Sequence, residues 1–210
     1  MGTLNENFEY RLFIKNKLTG KEITSKTILV KNFSISSPNT GIAFNPAYNN
    51  FSPIKVKWYP AINGKRYQVF LRFTYSERPL AATDSVFNSI DYNIGTIQSS
   101  SISSDDIILE YYGQSFYDFL YSKLTKDQTL YRWASKAEVF IYVAGSELNT
   151  YMEVTEPSSS IVQEKPSYTN INGGIGIYSC RYYKSVIYKS VQLKNIPMMQ
   201  ELSFKNLYPI

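Results

Sequence analysis

KRYQVFLRFTY, residues 65–75, alternates with a period of two. Tyr67, Val69, Leu71, Phe73 and Tyr75 fall on one side of an extended backbone, and Arg66, Gln68, Arg72 and Thr74 share the other side with Phe70. Successive side chains of a strand leave opposite faces of the pleat, so this pattern predicts an antiparallel strand with one face in the core and one toward water. Upstream, IKVKW (residues 54–58) sets Ile54, Val56 and Trp58 against Lys55 and Lys57, and Asn63-Gly64 reads as a hairpin-type turn between the two runs. FEYRLFIK (residues 8–15) repeats the alternation at Phe8, Tyr10, Leu12 and Ile14; a turn at Thr19-Gly20 then leads into the β-branched run EITSKTILV. Downstream, AEVFIYVA (residues 137–144) is apolar on both faces, which predicts a central strand covered on both sides from Val139 to Val143.

Two short helices interrupt the strands. Ser115 and Asp118 have capping-box spacing, and Phe116, Phe119, Leu120 and Leu124 mark one helical face. Ser146 is placed to cap a second helix, with Leu148, Tyr151 and Met152 along one side. Residues 34–53, 97–106 and 155–170 are dense in Ser, Asn, Pro and Gly and read as connections. These elements predict a mainly β chain, an antiparallel sandwich or barrel-like domain with two or three short helices. The expected organisation is a β-hairpin over 1–37, a linker over 38–53 and a β-rich main domain over 54–210; two small β domains divided at the same linker are the other arrangement.

NINGGIGIYSCRYY, residues 170–183, is the one stretch that suggests a nucleotide loop. A dinucleotide loop needs G-x-G-x-x-G opening a helix, whose N-terminal N–H groups face the phosphates. Here Ser179 stands in the third glycine position, and the following residues are β-branched and aromatic. The reading is therefore a tight turn at Asn172-Gly173-Gly174 feeding a strand, because glycine tolerates the positive φ such turns require.

The 210 residues are 43% hydrophobic and 19% charged, a globular balance. No apolar run approaches the roughly 18–20 residues that span a bilayer, and MGTLNENFEY has neither signal-peptide regions nor a myristoylation pattern, with Glu6 where Ser or Thr is needed. The 22 Lys and Arg against 17 Asp and Glu give +5, without a basic run. RYYKSVIYK, residues 181–189, could stack single strands on Tyr182 or Tyr188 beside Lys184, but a solvated sheet face is the preferred reading and no nucleic-acid partner is expected. With no histidine and Cys180 as the single cysteine, Ser-His-Asp and Cys-His devices, His- or multi-Cys zinc sites and an intrachain disulfide are all excluded. Nothing calls for a cofactor or a metal, and Cys180 reads as a small buried hydrophobe.

Asp105, Asp106 and Glu110 are the carboxylates that a glycoside hydrolase would use, though neighbours in sequence need not face each other across a sugar. The 19 Tyr and 12 Phe raise the aromatic fraction to 16%, and aromatics are platforms for sugars and interface anchors. In TLYRWAS, residues 129–135, the group Tyr131, Arg132 and Trp133 falls where a loop between the first helix and the central strand is expected, and is the candidate ligand-binding site.

In order along the chain, FEYRLFIKNKLTGKEITSKTILV, IKVKWYPAINGKRYQVFLRFTYSE, SIDYNIGT, SELNTYMEV and EPSSSIVQEKPSYTNINGGIGIYSCR resemble a group of uncharacterised cell-envelope lipoproteins of the Bacteroidetes. The most specific part is the closing pattern at Pro166, Tyr168 to Ile171, Asn172 to Gly174 and Gly176 to Tyr178. The resemblance implies an exported, outer-membrane-associated protein, of which this chain is a truncated C-terminal portion. Its hairpin would then be what remains beside a preceding immunoglobulin-like region. The signal peptide and lipid-attachment cysteine of that group have no counterpart here, so the membrane link would be a lipid anchor absent from this chain. The expected function is non-enzymatic binding of a glycan or a surface-protein partner; a carboxylate-based glycoside hydrolase and a structural component of an outer-membrane complex are the alternatives.

Overall fold

The computed structural model describes residues 4–48, 52–98, 106–156, 167–193 and 196–205. In chain order these form β1 (Glu9–Lys15), β2 (Glu22–Ile28), β3 (Ile35–Ser37), β4 (Ala43–Phe44), β5 (Ile54–Trp58), β6 (Arg66–Pro79), β7 (Val86–Gln98) and β8 (Ile107–Tyr111), followed by α1 (Gly113–Lys123), β9 (Leu130–Ala144), α2 (Ser146–Thr155), β10 (Arg181–Ile187), β11 (Ser190–Val191) and α3 (Pro197–Glu201). The molecule is mainly β and sandwich-like, and among the described residues its sheets do not close into a barrel.

The alternation of residues 65–75 builds the centre. β6 lies between β7 and β9 in an antiparallel sheet of order β10-β9-β6-β7. Tyr67, Val69, Leu71 and Phe73 sit opposite Val143, Ile141, Val139 and Ala137, and all are fully buried. Each aliphatic side chain removed from water in this way contributes roughly 1.5–3 kcal/mol. Facing them are Val56 and Trp58 of β5, Ile107 and Tyr111 of β8, and Phe116, Tyr117 and Leu120 of α1. The Trp58 and Tyr67 rings lie 5.7 Å apart, and Phe116 meets Phe73 edge-on at 5.6 Å.

Several local expectations give way to this packing. β5 does not pair with β6: it joins β3 and β8 in a second, three-stranded sheet. The turn at Asn63, with φ 67°, therefore carries the chain from one layer to the other, and Trp58 meets Tyr67 across the core instead of along a hairpin. Residues 38–53, expected as a linker, supply β4, which pairs in parallel with β11. Phe44 of β4 is buried against Phe116 and Tyr188, so this segment belongs to the same core as Val30, Phe33 and Phe204.

The helix starts differ as well. α1 begins at Gly113 and no side chain caps it; Asp118 accepts from Gln114 Nε2 at 2.8 Å instead of completing a box with Ser115. The start is set by close approach: a Cβ on Gly113 would lie 2.1 Å from the Ala47 carbonyl oxygen, while Tyr117 Oη donates to Pro46 O at 2.9 Å. Ser146 lies inside α2, and the hydroxyl that caps it is that of Ser179, which accepts from the Leu148 N–H at 3.1 Å. The Asn172-Gly173 turn has the positive φ the sequence requires, 76° at Gly173, and Asn172 bridges to Thr24 of β2. A strand, β10, follows it, beginning at Arg181. Cys180, half-buried just before that strand, accepts from the Val30 N–H at 3.2 Å, and burial pushes its thiol pKa up.

Candidate functional site: the outer face of the four-stranded sheet

Among the described residues AEVFIYVA is covered on one side only around Phe140 and Tyr142; at its Ala144 end Arg66, on the outer face, is buried and donates to Asn149 of α2 and to Glu156 just after it. Val139, Ile141 and Val143 enter the core, but Phe140 and Tyr142 stand half-buried on the outer face of the sheet. There they meet Phe70, the lone apolar residue on the polar side of β6, and Tyr183 of β10. The Phe140 and Tyr142 rings are within 12° of parallel at 6.1 Å, Phe70 meets Tyr142 edge-on at 6.1 Å, and Tyr183 lies 5.7 Å from Tyr142. The Arg72 guanidinium sits 4.8 Å from the centroid of Phe140 and that of Arg181 sits 4.5 Å from Tyr142.

A second cluster lies further down β9, and a β-bulge creates it. Alternation carried back from Val139 through Ala137 would put Trp133 and Tyr131 in the core and Arg132 outside. Instead Thr74 pairs with Lys136 while Tyr75 pairs with Ala134, leaving Ser135 as the extra residue of a register shift. One added residue exchanges the faces of everything beyond it. Trp133 and Tyr131 therefore turn outward, opposite Ser76 and Arg78, and Arg132 turns inward, opposite Glu77. The two outer rings are 5.8 Å apart; Arg78 lies over both, at 5.3 Å from Trp133 and 5.6 Å from Tyr131, and Lys205 Nζ is 4.8 Å from the Tyr131 centroid.

The three residues expected as a site are thus in a strand, not a loop, and they divide between its faces. Arg132 is 2% exposed. Its Nε donates to Glu77 Oε2 at 2.5 Å, its Nη1 to the carbonyls of Thr125 at 2.8 Å and Leu202 at 2.9 Å, and its Nη2 to Thr125 Oγ1 at 3.3 Å. It ties β9 to the end of α1 and to α3, on the core side of the sheet. Tyr131 and Trp133 keep their place in the candidate site, joined by Arg78, Lys205, Phe70, Arg72, Phe140, Tyr142, Arg181 and Tyr183.

The charge on this face is uneven. Arg72 forks onto Asp91 at 2.7 and 2.8 Å, which holds the Asp91 carboxyl below its ordinary value. Lys136 pairs with Glu138 at 2.5 Å, and Ser185 Oγ donates to the same carboxylate at 2.8 Å. Among the described residues no carboxylate pairs with Arg78, Arg181 or Lys205.

Other parts of the molecule offer less. A cavity of about 510 Å³ between the hairpin and the turn is lined by Arg11, Phe13, Lys26, Asn170 and Asn172 among others, but both of its cations are engaged by Glu9, at 2.9 and 3.1 Å. Those bonds, the one from Arg11 foremost, hold the Glu9 carboxyl below its ordinary value. A smaller cavity of about 250 Å³ lies beside Tyr188, Phe44 and Lys55. Among the described residues neither wall contains a carboxylate. Of the three residues considered for hydrolysis, Asp105 lies outside the described residues, Asp106 is exposed at the start of β8, and Glu110 pairs with Lys55 at 3.0 Å. In the segment 181–189, Lys184 donates to Phe33 O at 2.6 Å, Tyr182 donates to Asn32, and Tyr188 is buried, so these residues do not form an open stacking platform. No protein-family model matches this chain, and no curated protein matches it either.

Proposed function

We propose that the outer face of the β10-β9-β6-β7 sheet binds an extended glycan, in a non-enzymatic protein of a cell envelope. The observation that carries this reading is the pair of aromatic clusters with interleaved cations on a sheet face that, between those clusters, no other described element covers. Trp133 pairs with Ser76 and Tyr142 with Gln68, eight positions apart on β6, roughly 27 Å at strand rise. A face of that length suits a polymer better than a small molecule, which a concave pocket would enclose. Ring faces pack against the C–H faces of sugars, and Tyr183, 61% exposed, and Phe87, 69% exposed, leave most of their surface free for this. Thr74 and Ser89, linked at 3.0 Å between the clusters, and the arginines supply hydroxyl-directed hydrogen bonds. The envelope setting rests on the resemblance to Bacteroidetes lipoproteins. A protein partner is the second reading, favoured by apolar side chains on the hairpin such as Phe13, 61% exposed.

Alanine variants of Trp133 and Tyr183 test the glycan reading in affinity electrophoresis through polysaccharide gels. Each is expected to weaken binding about 5- to 30-fold, equivalent to about 1–2 kcal/mol, while the unfolding midpoint moves little for so exposed a side chain as Tyr183. A stability loss of about 3 kcal/mol or more in Trp133→Ala would mark that residue as core and remove it from the site. Absence of binding by the intact protein across a broad glycan array would give the protein-partner reading precedence.

A further inference from the structure

We infer that the polymer held on this face is an acidic polysaccharide, one bearing carboxylate or sulfate groups, and that Arg78, Arg181 and Lys205 are the residues that recognise those groups. The inference rests on the glycan reading of the same face and specifies its ligand.

Among the described residues six cations and three carboxylates belong to the outer face: Arg66, Arg72, Arg78, Lys136, Arg181 and Lys205 against Asp91, Glu138 and Glu156. The carboxylates are already satisfied by Arg72, Lys136 and Arg66, which leaves a local excess of three positive charges. Each of the three remaining cations lies over an aromatic ring, Arg181 on Tyr142, Arg78 on Trp133 and Tyr131, and Lys205 on Tyr131. A ring beneath a guanidinium engages its face and leaves the N–H donors, which lie in its plane, free to fork onto a carboxylate or sulfate. The stacking also restricts the rotamers of a long side chain before any ligand arrives, which lowers the entropic cost of binding. Arg78 gives one of its donors to Ala82 O and is fixed further by that bond.

The spacing of the charge separates this ligand from a nucleic acid. Arg78 and Lys205 share one end of the face, at Tyr131, and Arg181 stands at the other, opposite Ala144. That span is roughly 40 Å of strand, over which a nucleic-acid strand with a phosphate about every 3.4 Å would present about twelve. A polysaccharide with acidic groups on some of its sugars matches the sparse cations, and its neutral ring surfaces match the aromatics between them.

The test is a binding panel with intact protein: polygalacturonate, alginate and dextran sulfate against their neutral counterparts, fully methyl-esterified polygalacturonan and dextran. Arg78→Gln/Arg181→Gln is compared with Lys17→Gln, which removes one charge from the exposed hairpin turn, and the unfolding midpoint of each variant is recorded. At least one acidic polysaccharide is expected to bind 10-fold or more tighter than its neutral counterpart, to weaken as salt is raised, and to lose 10-fold or more in the double variant but not in Lys17→Gln. Equal binding of acidic and neutral polymers, unchanged in the double variant, overturns the inference and leaves the glycan reading standing. Binding of no polysaccharide at all overturns both. Displacement of the acidic polysaccharide by single-stranded DNA or polyglutamate at equal charge concentration also overturns it, in favour of a general polyanion surface.

Discussion

Arg132→Met is expected to destabilise the fold by about 3–5 kcal/mol, the cost of breaking a buried ion pair from one side. The wild-type guanidinium is almost fully enclosed and donates to four acceptors on three segments: Glu77 on β6, the Thr125 carbonyl and hydroxyl after α1, and the Leu202 carbonyl after α3. Methionine matches the length of the stem but offers no donor, so Glu77 and two carbonyls lose their partner together. In a chain of this size a loss of that order lowers the unfolding midpoint by roughly 6–20 °C. Arg132→Lys should recover little, because one ammonium cannot reproduce a planar fork directed at acceptors on different segments. Urea denaturation of the three proteins checks this. A loss below about 1 kcal/mol in Arg132→Met would show that the guanidinium is not the clamp described here.

The second large effect is expected at Trp58. The side chain is fully buried between the two sheets, with its ring against Tyr67, so Trp58→Ala should cost about 3–5 kcal/mol through lost burial and the cavity left behind. Trp58→Phe distinguishes packing from hydrogen bonding. The indole Nε1–H has no hydrogen-bond partner among the described residues, so phenylalanine removes an unsatisfied buried donor along with part of the ring. The two contributions oppose each other, and Trp58→Phe is expected to cost less than about 1.5 kcal/mol. Equal losses for alanine and phenylalanine, measured by the same denaturation, would mean that the indole is held by a bond and not by its fit.

The difference between Trp58 and Trp133 also shows how far the sequence could be read. Where alternation runs unbroken it is sufficient: the core face of β6 was legible from Tyr67 to Tyr75, and Trp58 from the pattern of IKVKW. Where one residue is inserted, the rule continues to give an answer and the answer is inverted. Ser135 carries no mark of a bulge, being neither glycine nor proline, so nothing in TLYRWAS reveals that Arg132 turns inward and Trp133 outward. The helix starts were misplaced for a different reason. Ser115 and Ser146 are good caps by type, but tertiary partners set the starts, the backbone of Ala47 against Gly113 and the hydroxyl of Ser179 beside Leu148. The outer aromatic face was half visible. Phe70 stands among polar neighbours and AEVFIYVA is apolar on both faces, but an apolar second face reads equally as a covered one. Arg78, Arg181 and Lys205 join the site only through register and through the segment 203–205, where the Lys205 N–H donates to the Arg132 carbonyl at 3.0 Å.

The most direct test of the outer sheet face as the functional surface is a titration of ¹⁵N-labelled protein with the tightest-binding polysaccharide of the panel, followed by amide and indole chemical shifts. The chain has two tryptophans, and only one of them lies on that face. The expected result is movement of the Trp133 indole and of the amides around Phe70, Arg72, Phe140, Tyr142, Arg181 and Tyr183, with the Trp58 indole and the hairpin residues Arg11, Phe13 and Lys26 unmoved. Shifts confined to the hairpin and the turn at Asn170 and Asn172, with the Trp133 indole unchanged, would contradict it.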